Sequence, residues 1–204
     1  MSEKADVKEK LRGLLSPVIA LCVYAGITPM SITLFGIFLS LAGGWSVGMG
    51  RLGLGAVVLI ISGLSDAIDG SLARSQGKTT LLGAFIDSTG DRVSELVYFI
   101  GLVFYFMGRT PAHNLMIFFS MIALAGSFLT SYARARAEGL GLDCSVGLLE
   151  RPERVALLIV GLIFGGIVLE VIIVVLAVLS VLTFIQRVKH VWKLTTPGEN
   201  GGDC

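Results

Sequence analysis

Four aspartates in a chain otherwise apolar enough to cross a membrane constrain this protein more than any other feature. They are Asp66, Asp69, Asp87 and Asp91, within the segment DAIDGSLARSQGKTTLLGAFIDSTGD, and long hydrophobic stretches flank them on both sides. A carboxylate inside a bilayer costs about 2.5–3.5 kcal/mol on insertion scales. Four such carboxylates would also repel one another unless cations lay between them. The sequence therefore predicts a functional site that binds divalent metal ions.

The composition places this site in a polytopic membrane protein. Of the 204 residues, 54% are hydrophobic and 15% are charged, and the mean hydropathy is +0.83, too apolar for a soluble domain of this size. The three cysteines, Cys22, Cys144 and Cys204, lack metal-ligand spacing and are interpreted as free thiols.

The lengths of the apolar stretches, and the polar, proline and glycine residues that separate them, predict an all-α integral membrane fold. It has six transmembrane helices preceded by an N-terminal amphipathic interfacial helix. We assign residues 1–27 to that amphipathic helix, 28–193 to the six-helix membrane domain and 194–204 to a disordered tail. The predicted spans are 31–49, 52–74, 80–107, 111–138, 152–168 and 170–192. The boundary between the last two is placed near Glu170, inside almost continuous apolar sequence.

The distribution of lysine and arginine predicts the orientation. Arg51 and Arg109 fall on one side of these spans, Arg92 lies inside the third, and all other basic residues fall on the opposite side. By the positive-inside rule, the basic side is cytoplasmic. We therefore expect a multi-pass cell-membrane protein whose termini and aspartates are cytoplasmic.

The spacing of the aspartates indicates which chemistry they support. Asp66 and Asp69 are three residues apart, and Asp87 and Asp91 are four apart, so each pair shares one helix face. The short turn 75–79 should make the second and third helices antiparallel neighbours whose faces meet. Four carboxylates so placed suit two hard cations, Mg²⁺ or Mn²⁺. Paired metals suit in-line displacement at phosphorus.

Other residues of the segment fit a phosphorylated substrate. Gly70 and Gly83 remove side chains where a bulky substrate must approach the backbone. Arg74 is suited to clamp a phosphate, and Asp91 at the end of the array suits a general base for an attacking hydroxyl. Helix capping explains one or two aspartates at most. A cation transporter would place charges near the midplane of several helices, whereas these cluster on two.

The pattern D-x2-D-G-x2-A-R-x8-G-x3-D-x3-D resembles the signature of the CDP-alcohol phosphotransferase family at all eight fixed positions. That family transfers a phosphoalcohol from a CDP-linked donor to a hydroxyl acceptor, releases CMP and uses two divalent cations, for which Mg²⁺ is expected here. The resemblance implies that Asp66, Asp69 and Asp87 bind metal. It implies that Asp91 binds the second metal and accepts the proton. The implied donor contacts are Met30, Ser31, Ile32, Thr33, Asp66, Gly70, Ala73, Arg74, Thr80 and Gly83.

A second group of basic residues is a candidate for binding the acceptor. Arginines occur in SYARARAE, in ERPER and at position 187, near the ends of three predicted helices. Planar guanidinium groups suit a phosphate monoester. Basic helix ends also follow from topology and anionic headgroups alone, so both interpretations stay open on physical grounds.

The same motifs resemble the inositol-phosphate-using branch of the family. That resemblance implies that Arg134, Arg136, Arg154 and Arg187 bind the phosphate of 1D-myo-inositol 3-phosphate. The expected donor is CDP-diacylglycerol or CDP-archaeol, and the family also implies a homodimer in contact with bilayer lipids, with no nucleic acid partner. The alternatives are glycerol 3-phosphate as acceptor, soluble CDP-inositol as donor, and cation transport.

Overall fold

The computed structural model describes residues 17–77, 80–109, 111 and 113–196, and all regular structure within these ranges is helical. This confirms the predicted all-α class. The six long helices are α1 (Pro29–Gly48), α2 (Leu52–Ser75), α3 (Leu81–Met107), α4 (Asn114–Glu138), α5 (Arg151–Phe164) and α6 (Gly166–Thr195). Residues 17–24 are also helical. The rest of the predicted amphipathic helix, 1–16, and most of the predicted tail, 197–204, lie outside the described residues.

Local sequence fixes where three of the helices begin. The Thr28 hydroxyl caps α1 by accepting from the amide of Ser31, with Pro29 in the first turn. Thr80 caps α3 by accepting from the amide of Gly83. At α5, Glu150 and Glu153 form a reciprocal capping box. All three starts lie close to the aspartate segment or to residues that contact it.

The predicted boundary between the fifth and sixth helices is wrong. The chain breaks at Gly165 and Gly166, whose φ angles are +60° and +48°, a region that glycine enters without steric cost. Glu170 lies inside α6, where its carboxylate is 3.4 Å from Nδ1 of His113. This polar partner explains how the charged Glu170 is accommodated within the helix.

Four helices, α1, α2, α4 and α6, are long and apolar enough to cross a membrane, so the chain is a multi-pass membrane protein. The other two differ from them for separate reasons. Helix α3 carries Asp87, Asp91, Arg92 and Glu95, and α5 has only 14 residues. At a rise of 1.5 Å per residue, α5 spans about 21 Å, less than the apolar thickness of a bilayer.

Helix α1 is the element that joins α2 and α3. The extensive helix contacts are α1 with both α2 and α3, α4 with both α3 and α6, and α5 with both α2 and α6. The α2–α3 pair is not among them. Their aspartate faces meet as expected, since carboxylate oxygens from the two helices lie within 4.8 Å of one another, but a gap separates the helix backbones. That gap is the most important feature of the fold for function.

Small and polar residues allow α1 to approach both partners closely. A Cβ added at Gly101 of α3 would collide with the backbone carbonyl of Gly44 in α1. Nearby, the Ser94 hydroxyl donates to the Ser40 hydroxyl over 2.9 Å. Such small residues and interhelical hydrogen bonds are the usual means of holding helices together in lipid.

We expect Gly101→Ala to destabilise the protein by about 1–3 kcal/mol, because the added methyl group forces α1 and α3 apart. The matched control is Gly63→Ala in α2, where an added Cβ meets nothing within 4 Å. Since alanine stabilises a helix interior more than glycine does, the control substitution should leave the protein's stability unchanged or raise it by up to about 1 kcal/mol. Thermal unfolding in detergent measures both. Equal melting temperatures for the two variants would contradict the close approach of α1 and α3.

Candidate active site

Three of the four aspartates converge across the gap between α2 and α3. Asp66, Asp69 and Asp87 each offer a carboxylate oxygen, and these oxygens all lie within 4.8 Å of one another. Anionic oxygens this close repel strongly in a partly buried site. Hard carboxylate oxygens are the ligands that Mg²⁺ and Mn²⁺ prefer. The residues present therefore fit a divalent cation.

Helix α1 supplies the group that orients this cluster. The Thr33 hydroxyl donates to Oδ2 of Asp69 over 2.5 Å, and Asp69 is the most buried of the three carboxylates. The bond fixes one oxygen of Asp69 and leaves the other available as a ligand. A small polar cavity at this point is lined by residues of α1, α2 and α3, including Asp91, and by Arg151 of α5.

A larger cavity of about 340 Å³ opens from the aspartates between the same three helices. Asp69 and Asp87 form its inner end, and Arg74 lies along its wall. Seven of the ten residues expected to contact the donor line it: Met30, Thr33, Gly70, Ala73, Arg74, Thr80 and Gly83. Asp66 lines the adjoining polar cavity. Ser31 and Ile32 line neither cavity.

The glycines of this cavity leave space where the sequence analysis expected it. A Cβ on Gly70 would lie 3.5 Å from the Arg74 guanidinium, and one on Gly83 would lie 3.0 Å from the Thr80 hydroxyl. Side chains there would therefore narrow the space beside Arg74 and Thr80. The Arg74 guanidinium is exposed and donates to the Ser71 hydroxyl over 3.3 Å, which leaves most of its donors for a ligand.

Asp91 lies beside the cluster and is paired with an arginine from a distant part of the sequence. Oδ1 of Asp91 is 2.5 Å from Nη2 of Arg151, the first residue of α5. Nη1 of the same guanidinium is 3.4 Å from Oδ2 of Asp66. Arg151 thus bridges a carboxylate of α3 and one of α2. The sequence analysis did not assign it to the aspartates, since no local signal connects positions 60 to 85 residues apart.

One helical turn farther along both helices is a second ion pair. The Arg154 guanidinium donates to both carboxylate oxygens of Glu95, over 2.8 and 3.3 Å, and to the carbonyl of Leu149. Arg154 and Glu95 are only 3% and 7% exposed. Buried charges need such complete pairing. The Glu95–Arg154 pair therefore fixes the start of α5 against α3.

The start of α5 lies at the level of the aspartates. Asp91 comes ten residues after the start of α3, about 15 Å along its axis, and Asp66 comes about 14 Å before the end of α2. Because Arg151 contacts both, the loop 139–150 descends to that depth before α5 begins. This explains why α5 is short.

Side chains on one face of α6 form hydrogen bonds with the backbone of the loop 139–150. The side chains at 183, 186, 187 and 190 recur at helical spacing. Thr183 and Gln186 accept from the amides of Leu149 and Leu148, Arg187 donates to the Val146 carbonyl over 2.9 Å, and His190 hydrogen-bonds the Asp143 carbonyl. Cys144 is buried in the same loop, and burial raises the pKa of its thiol. These contacts set the position of Arg151 on the aspartates.

The four arginines expected to bind the acceptor fall into two groups. Arg134 and Arg136 lie on the exposed surface at the end of α4, where Arg134 pairs with Glu138 over 2.8 Å. Arg154 and Arg187 are each only 3% exposed. Arg154 binds Glu95, and Arg187 donates to the Val146 and Thr130 carbonyls. The buried pair thus supports the loop between the exposed pair and the aspartates.

Comparisons with known proteins place this arrangement among enzymes of lipid synthesis. A family model described as CDP-alcohol phosphatidyltransferase matches residues 26–188. The archaetidylinositol phosphate synthase of Methanothermobacter thermautotrophicus is 36% identical over 166 residues, which cover 79% of this chain and 82% of that one. The resemblance drawn from the aspartate spacing is confirmed.

Two crystal structures of a phosphatidylinositol phosphate synthase from Mycobacterium tuberculosis share this fold at 34% sequence identity. One has CDP-DAG bound and matches with a TM-score of 0.81, covering 92% of this chain and 97% of that one. The other is in complex with manganese and citrate and matches with a TM-score of 0.80, covering 92% of both chains.

We expect Glu95→Ala to lower the free energy of unfolding by about 3–5 kcal/mol, because it leaves the buried Arg154 charge without its partner. Replacing both residues, as Glu95→Ala with Arg154→Leu, should recover part of this loss. The control is Glu138→Ala, which breaks the exposed pair with Arg134 and should cost no more than about 1 kcal/mol. Denaturant unfolding in detergent gives all three values. A Glu95→Ala variant as stable as the control would contradict the buried pair.

Proposed function

The chain belongs to the CDP-alcohol phosphatidyltransferase family, and we propose that it transfers the phosphatidyl-type group of a CDP-activated lipid to 1D-myo-inositol 3-phosphate, releasing CMP. The observation that carries this proposal is the joined pair of cavities, one large enough for a nucleotide-linked donor and one lined by carboxylates. The inositol phosphate acceptor fits the names of the similar synthases. The enzyme is a membrane-bound transferase of phospholipid biosynthesis.

The donor lies in the 340 Å³ cavity. Arg74 on the cavity wall binds the pyrophosphate of the CDP group, since a guanidinium matches phosphate oxygens in charge and geometry. Gly70 and Gly83 let the nucleotide approach the backbone of α2 and α3, and Thr80 offers a hydroxyl at the entrance. The other proposed donor contacts are Met30, Ser31, Ile32, Thr33, Asp66 and Ala73.

Two divalent cations are the cofactors, Mg²⁺ or Mn²⁺. Asp66, Asp69 and Asp87 hold the first, and Asp91 contributes to the second. When bound, such ions neutralise the phosphate oxygens and stabilise the attacking and leaving oxygens of an in-line displacement. Thr33 keeps the Asp69 carboxylate in the orientation that the cluster requires.

Asp91 is the general base. Its carboxylate accepts the proton of an inositol hydroxyl as that oxygen attacks the lipid-side phosphorus of the donor. The new bond joins the inositol oxygen to this phosphorus, and the bond that breaks joins the phosphorus to the CMP oxygen. CMP leaves with the electron pair of the broken bond. Arg74 stays in contact with the phosphate of the departing CMP.

The acceptor phosphate is bound at the cytoplasmic mouth of the site. Arg134 and Arg136 are exposed there and present guanidinium donors to an incoming anion. Arg154 and Arg187 complete the proposed set, in which their buried guanidinium groups place positive charge beneath the loop 139–150. The loop 139–150 ends at Arg151, which contacts Asp91, so an acceptor held by its phosphate beside this loop presents hydroxyls to that base.

We propose that all six helices cross the membrane, with both termini and the active site cytoplasmic. The charges of α3 are compatible with a crossing because Asp87, Asp91 and Glu95 face the site or pair with arginine. The short α5 is compatible because it begins at the depth of the aspartates. The excess of basic residues on the side of Arg74, Arg134 and Arg187 supports a cytoplasmic site.

The remaining organisation stays a prediction. It comprises an interfacial helix over 1–27, a membrane domain over 28–193, a disordered tail predicted over 194–204, of which the first two residues belong to α6, and a homodimer. Truncation after residue 193 should leave the purified protein active, and light scattering with detergent correction should give the mass of two chains.

The test is CMP release by the purified protein with Mg²⁺ and CDP-diacylglycerol or CDP-archaeol. We expect release with inositol phosphate and not with inositol or glycerol 3-phosphate, each offered separately. Asp91→Asn should slow it by at least about 100-fold, the usual contribution of a general base. The matched control is Glu170→Gln, a carboxyl-to-amide change on α6 next to His113, which should retain activity. Chelation of divalent cations should abolish CMP release.

Release with glycerol 3-phosphate instead would assign the protein to phosphatidylglycerol phosphate synthesis. Release from soluble CDP-inositol alone would make the donor water-soluble. Metal-dependent cation flux in liposomes without CMP release would contradict an enzymatic role.

A further inference from the structure

Arg151 is the basic side chain that the fold places directly on the aspartates. Its Nη2 is 2.5 Å from Asp91 and its Nη1 is 3.4 Å from Asp66. It lines both the aspartate cavity and a neighbouring cavity that leads toward Glu95. The guanidinium therefore touches the proposed base and one ligand of the proposed first cation.

The hydrogen bonds described for the other arginines near the cluster go to groups other than the four aspartates. Arg92 donates to the Ser88 carbonyl of its own helix over 2.5 Å, Arg74 donates to Ser71, and Arg154 is paired with Glu95. Within the described ranges, Arg151 is the partner in the ion pairs that the four aspartates make. It supplies, as a fixed group of the chain, the positive charge that Asp66 and Asp91 need.

The contacts of Arg151 in this position are incomplete. Its Nε is buried and has no hydrogen-bond partner. An unsatisfied buried donor is unfavourable, so the guanidinium is held by its charge more than by a full set of hydrogen bonds. Its side chain is also 28% exposed, which leaves room for it to turn toward the loop side of the site.

We propose that Arg151 is an internal counter-cation, occupying carboxylate oxygens that the second divalent cation requires. A carboxylate oxygen paired with Nη2 at 2.5 Å cannot at the same time bind a metal ion along that direction. Arg151 must therefore leave Asp91 before a second cation uses that oxygen, and while it stays its positive charge repels a cation at the other oxygen. The first cation meets less competition, since Asp69 and Asp87 make no ion pair with Arg151. This inference rests on the proposed function only for the two cations.

The consequence is that the two cations bind with unequal affinity. The cluster of Asp66, Asp69 and Asp87 forms a tight site, whereas the position at Asp91 is weakened by the guanidinium. Until Arg151 is displaced, its charge also keeps Asp91 paired and unavailable as a base. Arg151 is thus a positioning residue, and the property it controls is metal affinity as well as rate.

The experiment is Mn²⁺ binding to the purified full-length protein, followed by electron paramagnetic resonance of the free ion. No CDP-lipid and no acceptor are added. The variants are Arg151→Gln and, as the matched control, Arg92→Gln, which also removes one positive charge near Asp91 but frees no carboxylate oxygen. Wild type should show one tight and one weak site. Arg151→Gln should tighten the weak site by about 10-fold or more, in the range of measured couplings between close charge pairs.

The affinity of the weak site in the two variants decides whether the inference holds. The Arg92→Gln variant should tighten the weak site by less than about 3-fold, as expected for a charge that does not occupy the ligand. A weak site unchanged or weakened in Arg151→Gln would overturn the inference. Equal tightening in both variants would overturn it as well, because general electrostatics would then suffice.

A second variant covers the case in which Arg151→Gln does not fold, as judged by size-exclusion chromatography. In Arg151→Lys, a single ammonium group replaces the planar guanidinium that bridges Asp66 and Asp91. The weak site should therefore again bind Mn²⁺ more tightly than in wild type. If the weak site of Arg151→Lys binds Mn²⁺ with the wild-type affinity, the inference is contradicted. Failure here is distinguishable from failure of the proposed function: the Mn²⁺ isotherm does not depend on the acceptor, and CMP release does not depend on which site is weak.

Discussion

Mutual repulsion among four carboxylates inside a helix bundle is the constraint on which the rest of this structure depends. Asp66 and Asp69 project from α2, and Asp87 and Asp91 project from α3. In a medium of low polarity such groups cannot be brought together by helix packing alone. The two helices accordingly do not pack extensively on each other, and α1 joins them instead. The resulting gap provides both the metal cluster and the donor cavity.

The opposite side of the site is built by long side chains that hold a loop. The face of α6 that carries Thr183 and Arg187 contacts the backbone of the loop 139–150, and Arg154 pairs with Glu95 at the start of α5. These contacts bring the first residue of α5 down to the aspartates. A soluble acceptor and a lipid-linked donor can then meet at one place, since the exposed Arg134 and Arg136 lie where the loop begins and the donor cavity lies between α3 and two candidate membrane spans, α1 and α2.

The sequence predicted the part of the site that local spacing determines. Residues three or four apart share a helix face, so the aspartate pairs and the glycines beside Arg74 and Thr80 could be assigned without a structure. The interactions between distant segments could not. Nothing in ERPER indicates that its first arginine contacts Asp91 and its second contacts Glu95, because loop geometry decides this. The same holds for Arg187, whose buried contacts with backbone carbonyls give no signal in the sequence. The break at Gly165 was missed because continuous apolar residues surround it.

Anomalous diffraction from crystals grown with Mn²⁺ tests the central claim most directly, since it locates the ions independently of activity. Two peaks should appear about 3.5–4 Å apart, the separation typical of paired metal sites. One should lie among Asp66, Asp69 and Asp87, and the other should contact Asp91. A single peak at the three-carboxylate cluster, with Arg151 still on Asp91 at saturating Mn²⁺, would contradict the two-cation site. Absence of any peak at these aspartates would contradict the whole account.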